Sequence, residues 1–207
     1  MPPPIAAVLL AGGRGQRMGG GDKPLRMLGG RSLLARVIDR ITPQVSALVL
    51  NANGDPTRLA AFKLPVVADP LPGHPGPLAG ILAGLRWAQA ICPGVHEMLS
   101  VPTDTPFLPH DLVARLLAER GAHALACAAS GGWTHPVIGL WPVSLADALE
   151  AALRDGERKV AAFTARHGVA EVIFATAPFD PFFNVNAPDD VAAAEALIAL
   201  YPAMATP

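Results

Sequence analysis

IAAVLLAGGRGQRMGGGDK, residues 5–23, is the stretch from which the fold of this chain can be read. Its opening run of Ile, Ala, Val and Leu has the length and composition of a buried parallel strand. The run stops at glycines. Gly12, Gly13, Gly15, Gly19, Gly20 and Gly21 permit tight turns and a close approach of backbone to ligand, because no Cβ stands in the way. Arg14, Arg17 and Lys23 add positive charge to the same loop. Backbone N–H groups combined with cations suit a polyphosphate. The stretch is therefore expected to be a nucleoside triphosphate loop heading an α/β domain; the bland alternative is a solvated loop at a strand end.

Two common phosphate loops are excluded by spacing. A Walker A loop needs Gly, four residues and then Gly-Lys-Ser/Thr, whereas Lys23 here stands between Asp22 and Pro24. The dinucleotide fingerprint needs a third glycine where this chain has Met18.

The 207 residues suffice for one domain with a full core, and 1–207 is expected to be a single domain. Sixteen Lys and Arg against seventeen Asp and Glu leave no basic excess, so neither nucleic acid nor an anionic membrane is an expected partner. Any polyanion site must be local. Cys92 and Cys127 lack metal-ligand or disulfide spacing, which fits a reducing compartment. The apolar run is too short to span a membrane and lacks the flanks of a signal peptide, so the chain is expected in the cytoplasm.

Along the chain, Ser32 is placed to cap a helix carrying Leu33, Leu34, Val37, Ile38 and Ile41, stopped by Pro43. Residues 47–50 look like a strand ending at the turn cluster Asn51-Ala52-Asn53-Gly54, and 65–68 like a very short one ending at Asp69. A helix with Leu78, Ile81, Leu82 and Leu85 follows. Residues 97–101 form a fourth strand, closing in Pro102-Thr103-Asp104-Thr105-Pro106, and a helix is expected from Pro109. Beyond residue 121 the pattern loosens: strands over 122–128, 136–141 and 172–175, helices over 145–153, 159–165 and 191–200. Alternating strands and amphipathic helices predict a three-layer, Rossmann-like α/β fold, its mainly parallel sheet covered on both faces, with some antiparallel strands in the C-terminal part. Ligands in such sheets sit outside the carboxyl ends of the strands. Those ends carry the glycine loop, Asn51, Asp69 and Asp104.

Asp104, held between prolines, is a candidate magnesium ligand or a turn aspartate. Asp69 could contact ribose, base or a second metal site, or open a turn before Pro70. Asn51 offers donor and acceptor to a base or ribose edge, or closes an Asx turn. Lys23, and after it Arg17, can neutralise charge on phosphate oxygens, with Arg14 facing solvent. His135, before Pro136 at a strand entrance, is either structural or functional. Arg158 and Lys159 lie on the polar face of a helix start or reach a second phosphate. Asn186 stands where a helix cap before Pro188-Asp189-Asp190 would also place it. No Ser-His-Asp or Cys-His arrangement can be argued from spacing.

LAGGRGQRMGGGDK resembles the signature loop of nucleotidyltransferases that activate sugars and cofactors, L-A-[GA]-G-x-[GS]-x-R-[ML]-G-x-x-K in outline. Within that superfamily the chain resembles the molybdenum cofactor guanylyltransferase family, and LAGG rather than LAAG favours guanylyl over cytidylyl relatives. Asn51 to Asn53, the PGPLAG run from Pro75 to Gly80, Asp104-Thr105-Pro106, Asn184-Val185-Asn186 and Pro188-Asp189 fall in family order over nearly the whole length. The small-residue pattern around Gly15 and Gln16 departs from the usual loop. The resemblance implies GTP and molybdopterin cofactor as substrates, Mg2+ as cofactor, and pyrophosphate as the second product. By match, Leu10, Ala11, Gly12, Gly13, Lys23, Asn51, Asp69 and Asp104 would contact GTP, with Asp104 also the metal ligand. Lys23, Arg17 and Asp104 would be catalytic. Pro77, Leu78, Gly80, Asn184 and Asn186 would face the acceptor, joined by His135 and Arg158. Residues 1 to about 110 would form the GTP half and the remainder the acceptor half. Transient contact with molybdenum-insertion proteins and molybdoenzyme chaperones is a further expectation. Competing readings are cytidylyl transfer to the same acceptor, nucleotidyl transfer to a sugar phosphate, and a non-catalytic GTP or cofactor carrier.

Overall fold

A computed structural model describes residues 4–12, 22–73 and 76–202. In chain order the strands and helices are β1 (Ile5–Leu10), β2 (Met27–Leu28), β3 (Arg31–Ser32), α1 (Leu33–Ile41), β4 (Ala47–Asn51), β5 (Val66–Val67), α2 (Pro77–Ile91), β6 (Glu97–Pro102), α3 (Leu112–Glu119), β7 (Leu125–Ser130), β8 (Trp133–Pro142), α4 (Ala146–Arg154), α5 (Val160–His167), β9 (Val169–Phe174) and α6 (Pro188–Leu200). Seven strands form one sheet in the order β5-β4-β1-β6-β8-β7-β9. β8 runs antiparallel to both its neighbours, while the other ladders are parallel.

β1 shows why its sequence has no polar alternation. It lies between β4 and β6, so both its faces are covered. Ile5, Ala7 and Leu9 belong to the core under α1 and α3; Ala6 and Val8 belong to the opposite core under α2, α4 and α5. The expected three layers are present. α1 starts where Ser32 Oγ accepts the Ala35 N–H at 3.2 Å, and it buries Leu33, Leu34, Val37 and Ile41. Each such side chain stabilises the fold by roughly 1.5–3 kcal/mol over leaving it exposed. α2 packs against β1 and β4 unusually closely through small residues. A Cβ at Gly84 would lie 2.6 Å from Val8 Cβ, and one at Gly80 would lie 2.3 Å from Asn51 Oδ1.

The C-terminal part departs most from expectation. β7 spans Leu125–Ser130 and β8 Trp133–Pro142, both longer toward their shared turn than the sequence suggests. Their register jumps from Cys127–Gly139 to Ala128–His135, leaving residues 136–138 outside the ladder. Pro136 has no N–H to contribute to a ladder, which suits it to this irregularity. α3 begins at Leu112 rather than near Pro109, and α6 at Pro188 rather than 191. The β2–β3 hairpin has two residues per strand, too few for any periodicity to reveal.

α6 does not stay with the C-terminal part. It packs on the β2–β3 hairpin through a small separate core of Leu28, Leu33, Phe107, Val185 and Ala194. The Phe107 and Phe179 rings meet edge-on at 5.1 Å, and the Gly29 N–H donates to Glu195 Oε1 at 3.3 Å. The last quarter of the chain thus returns to the segment that follows the glycine loop. Among the described residues no helix is long and apolar enough to cross a membrane.

Candidate active site

A cleft of about 1320 Å³ opens over the carboxyl ends of β1, β4 and β6 and is walled on its far side by β8 and residues 182–184. Pockets for one drug-sized ligand measure roughly 300–1,000 Å³, so this cleft is larger than one such pocket.

The first wall is built from strand ends. The Ala11 N–H donates to the Asn51 carbonyl at 2.8 Å, continuing the β1–β4 ladder into the start of the glycine loop. Asn51 Nδ2 donates to Asp69 Oδ1 at 3.0 Å and to the Val67 carbonyl at 3.2 Å. Asn53 Nδ2 donates to Asp69 Oδ2 at 2.7 Å, while Asn53 Oδ1 accepts the Asp69 N–H at 2.9 Å. Both carboxylate oxygens of Asp69 are therefore oriented by side-chain amides. Gly80 lies beneath Asn51, and its missing Cβ is what lets the Asn51 amide occupy that place.

α2 enters this wall with Pro77 at its first position and no side-chain cap; its N-cap Gly76 has φ +88°, a conformation glycine tolerates. First-turn N–H groups without a cap, together with the helix dipole, favour an anion there. Arg58 forms an ion pair with Asp22 and donates to the Asn53 carbonyl at 3.4 Å, linking the base of the loop to the Asn53–Asp69 cluster.

At the centre, Lys23 Nζ lies 2.5 Å from Asp104 Oδ2 and also donates to Asn186 Oδ1. An ammonium has three donors, so the described residues occupy two and one remains for an anionic ligand. The main chain ties the same three segments together. The Val185 N–H donates to the Asp104 carbonyl at 2.9 Å, and Thr103 Oγ1 donates to the Leu10 carbonyl at 3.3 Å. Asp190 Oδ2 accepts the N–H groups of Asn186 and Ala187 at 2.7 and 2.8 Å, so the start of α6 holds Asn186 in place.

A divalent cation fits at Asp104. Its Oδ1 is buried without a hydrogen-bond partner, a costly state for a carboxylate oxygen that a metal would relieve. Magnesium usually takes one or two carboxylates, with waters and substrate phosphates completing its shell. Among the described residues no cluster of three or more His, Cys, Asp or Glu side chains suited to a metal is present. The charge balance also suits a cation at Asp104. Asp22, Asp69 and Asp104 line the cleft with Arg58, and Lys23 meets Asp104 at its centre, so a divalent cation would add to the positive charge that faces a triphosphate.

The second wall is assembled from distant segments. Thr134, His135, Pro136 and Phe182 line it. Ser130 Oγ lies 2.8 and 2.9 Å from the two carboxylate oxygens of Asp180 and 2.8 Å from His135 Nε2. The His135 ring packs against Phe182 with centroids 4.8 Å apart and planes tilted by 44°. Burial pushes the His135 imidazole below its ordinary value, with Asp180 pulling the other way. A Ser, a His and an Asp do meet here, which spacing did not reveal. Their order differs from a nucleophilic triad: the serine proton goes to the carboxylate, and Ser130 is 1% exposed, so the hydroxyl cannot attack a substrate.

The pattern of the MobA-like NTP transferase domain matches residues 7–172. A molybdenum cofactor guanylyltransferase of Rhodopseudomonas palustris is 60% identical over 93% of this chain and 93% of its own length. The chain belongs to the MobA-like NTP transferase family and, within it, to the molybdenum cofactor guanylyltransferases. A Bradyrhizobium member is 57% identical over 95% of this chain and 94% of its own. Among solved structures, the molybdopterin-guanine dinucleotide biosynthesis protein A of Archaeoglobus fulgidus superimposes with TM-score 0.74 at 25% identity, covering 94% of this chain and 99% of that one.

For a guanylyltransferase of this family the predicted residues distribute as follows. Leu10, Ala11, Gly12, Asn51, Asp69 and Asp104 line the cleft. Pro77, His135 and Asn184 line it too, and Lys23 and Asn186 meet over Asp104. Gly13, Arg14 and Arg17 lie outside the described residues. Leu78 and Gly80 do not reach the cleft: Leu78, in the first turn of α2, is fully buried in the core beneath that helix, and Gly80 backs Asn51. Arg158 is not part of the cleft lining; its guanidinium donates to the Leu153 carbonyl at 2.8 Å between α4 and α5. Sequence reasoning missed Asn53 as a partner of Asp69, and Asp22, Arg58, Ser130, Asp180 and Phe182 altogether. Only Asn53 had a signal, its place in the Asn51–Gly54 turn cluster beside a strand end.

Proposed function

We propose that this protein transfers GMP from GTP to the terminal phosphate of molybdopterin cofactor, forming the guanine dinucleotide cofactor and releasing pyrophosphate. The observation that carries the reading is the Lys23–Asp104–Asn186 junction, where the loop side, the end of β6 and the C-terminal strap converge between two unlike walls. GTP is assigned to the first wall and the pterin phosphate to the second. The guanine edge offers two adjacent N–H donors where cytosine offers one amino group. The carboxylate of Asp69, whose two oxygens are oriented by the Asn51 and Asn53 amides, is a paired acceptor that suits the two-donor edge.

An oxygen of the acceptor phosphate attacks the α-phosphorus, and the bond from that phosphorus to the bridging oxygen of the β-phosphate breaks. The acceptor phosphate is already ionised at neutral pH, so no protein general base is needed. Lys23, with Arg17 from the glycine loop, neutralises phosphate charge, and the uncapped first turn of α2 adds N–H groups. Bringing two anions into one geometry is the other large contribution. Magnesium held by Asp104 would supply Lewis-acid stabilisation of charge on the phosphate oxygens. Asn184 and Asn186 position the acceptor side, Asn186 through Lys23. We place the reaction in the cytoplasm.

Calorimetry with GTP and CTP, in magnesium, combined with a pyrophosphate assay tests this. GTP binding well above CTP, with pyrophosphate appearing once molybdopterin is added, is expected. Preference for CTP would indicate a cytidylyltransferase. GTP binding without pyrophosphate release would indicate a carrier.

A further inference from the structure

The Ser130–Asp180–His135 chain is not used by phosphoryl transfer as described, yet it commits a half-buried carboxylate and a buried hydroxyl. Its proton positions can be worked out. Ser130 Oγ has one proton, and both Asp180 oxygens, at 2.8 and 2.9 Å, can only accept it while the carboxylate is ionised. The hydroxyl oxygen is then left as an acceptor, so the 2.8 Å contact with His135 must be donated by Nε2–H. Asp180 is itself fixed, because its Oδ1 also accepts the Phe182 N–H at 2.9 Å. The Phe182 ring in turn packs against His135 at a 44° tilt and meets Phe174 edge-on at 5.1 Å. Position, tautomer and ring plane of His135 are therefore all determined from behind, while the imidazole lines the cleft.

We propose that Ser130 and Asp180 are positioning residues that lock His135 as an Nε2–H imidazole, whose Nδ1 accepts a hydrogen bond from a ring N–H or amino group of the acceptor's heterocycle. This rests on the assignment of the second wall to the acceptor. A pterin is rich in such donors; a phosphate has none, and would need Nδ1 protonated. The pKa of His135, lowered by burial, agrees with a neutral ring at neutral pH. His135 is thus a residue that distinguishes the heterocycle of the acceptor, and not a phosphate ligand.

Ring 15N NMR of histidine-labelled protein, without substrates, tests the locking step whatever the reaction proves to be. The wild type should show His135 as the Nε2–H tautomer; Ser130→Ala and Asp180→Asn should each give a tautomer mixture. An Nδ1–H ring in the wild type, or an unchanged tautomer in both variants, would overturn the proposal. In turnover assays Ser130→Ala should raise the acceptor KM about tenfold, the scale of one lost oriented hydrogen bond, with kcat and GTP affinity nearly unchanged. A pterin without phosphate should compete with the acceptor in the wild type and much less in Ser130→Ala, whereas a simple phosphomonoester should compete equally with both. The reverse pattern would make His135 a phosphate ligand and sink the assignment. If Ser130→Ala fails to fold, Asp180→Asn carries the same comparisons. Absence of any guanylyl product from the wild type would refute the proposed reaction, while the NMR arm would still decide the tautomer.

Discussion

The two walls of the cleft are made in different ways. The first, at the ends of β1, β4 and β6, draws its polar groups from residues that directly continue parallel strands, with α2 backing them through Gly80. The second draws on β7, β8 and residues 180–184, joined by side-chain contacts across as many as 50 positions of sequence. The first wall has a geometry that parallel sheets share; the second is built from contacts particular to this chain. On the proposed assignment, that contrast would let a common sheet serve many nucleotidyl transfers, with the triphosphate half kept by the strand ends and the acceptor half set by a less regular edge.

The comparison can be broken or sharpened by substitution. Asp104→Ala should have the largest effect, because it removes the proposed metal ligand and leaves Lys23 without its carboxylate. Turnover should fall by at least about 10²–10³, the scale of a lost charge-stabilising group, read from pyrophosphate release; unchanged activity would remove Asp104 from the centre. Gly80→Ala acts on the first wall alone. A Cβ at 2.3 Å from Asn51 Oδ1 must push that amide aside, and overpacking of this kind costs about 1–3 kcal/mol. GTP affinity should weaken roughly tenfold or more, with the acceptor KM little changed. An equal rise in both constants would show that the walls are not separable.

Asp190→Ala releases the Asn186 and Ala187 N–H groups. It should lower stability by about 1 kcal/mol, as loss of a helix cap does, and raise the acceptor KM more than the GTP affinity constant; denaturant melts and steady-state kinetics measure the two effects. The smallest expected effect concerns pH. The folded His135 sits below its ordinary value of 6.5, so the unfolded chain takes up the proton first as pH falls. Its contribution to stability is then present above about pH 6.5 and declines as pH drops toward the lowered folded value. Asp180 is the charged group facing the ring, through Ser130, and works against this trend. Thermal melts at about pH 7.5 and about pH 5.5 should show a smaller pH-dependent loss in His135→Gln than in the wild type.

What was legible in the sequence divides along the same line. The apolar run of β1, the Ser32 cap, and Asn51 and Asp104 beside their strands' carboxyl ends follow from local rules, because buried parallel strands and capped helices leave local marks. The α/β class followed from those marks. The β2–β3 hairpin left none, being two residues per strand, and the jump in register between β7 and β8 left only Pro136. Ser130 and Asp180 were invisible for a different reason. Their pairing depends on where the chain after β9 crosses the sheet, and nothing near either residue encodes that path. Leu78 and Gly80 were placed at the acceptor by resemblance. The backbone they belong to does open at the cleft, but a helix buried on both its strand-facing and α4-facing sides turns the Leu78 side chain inward.

The central claim is that the cleft joins GTP on one wall to molybdopterin on the other. Incubation of the purified protein with GTP, magnesium and molybdopterin, followed by mass measurement of the product, tests it most directly. A product heavier than the acceptor by one guanylyl group, with matching pyrophosphate, is the predicted result. Recovery of unmodified acceptor beside intact or merely hydrolysed GTP would contradict it.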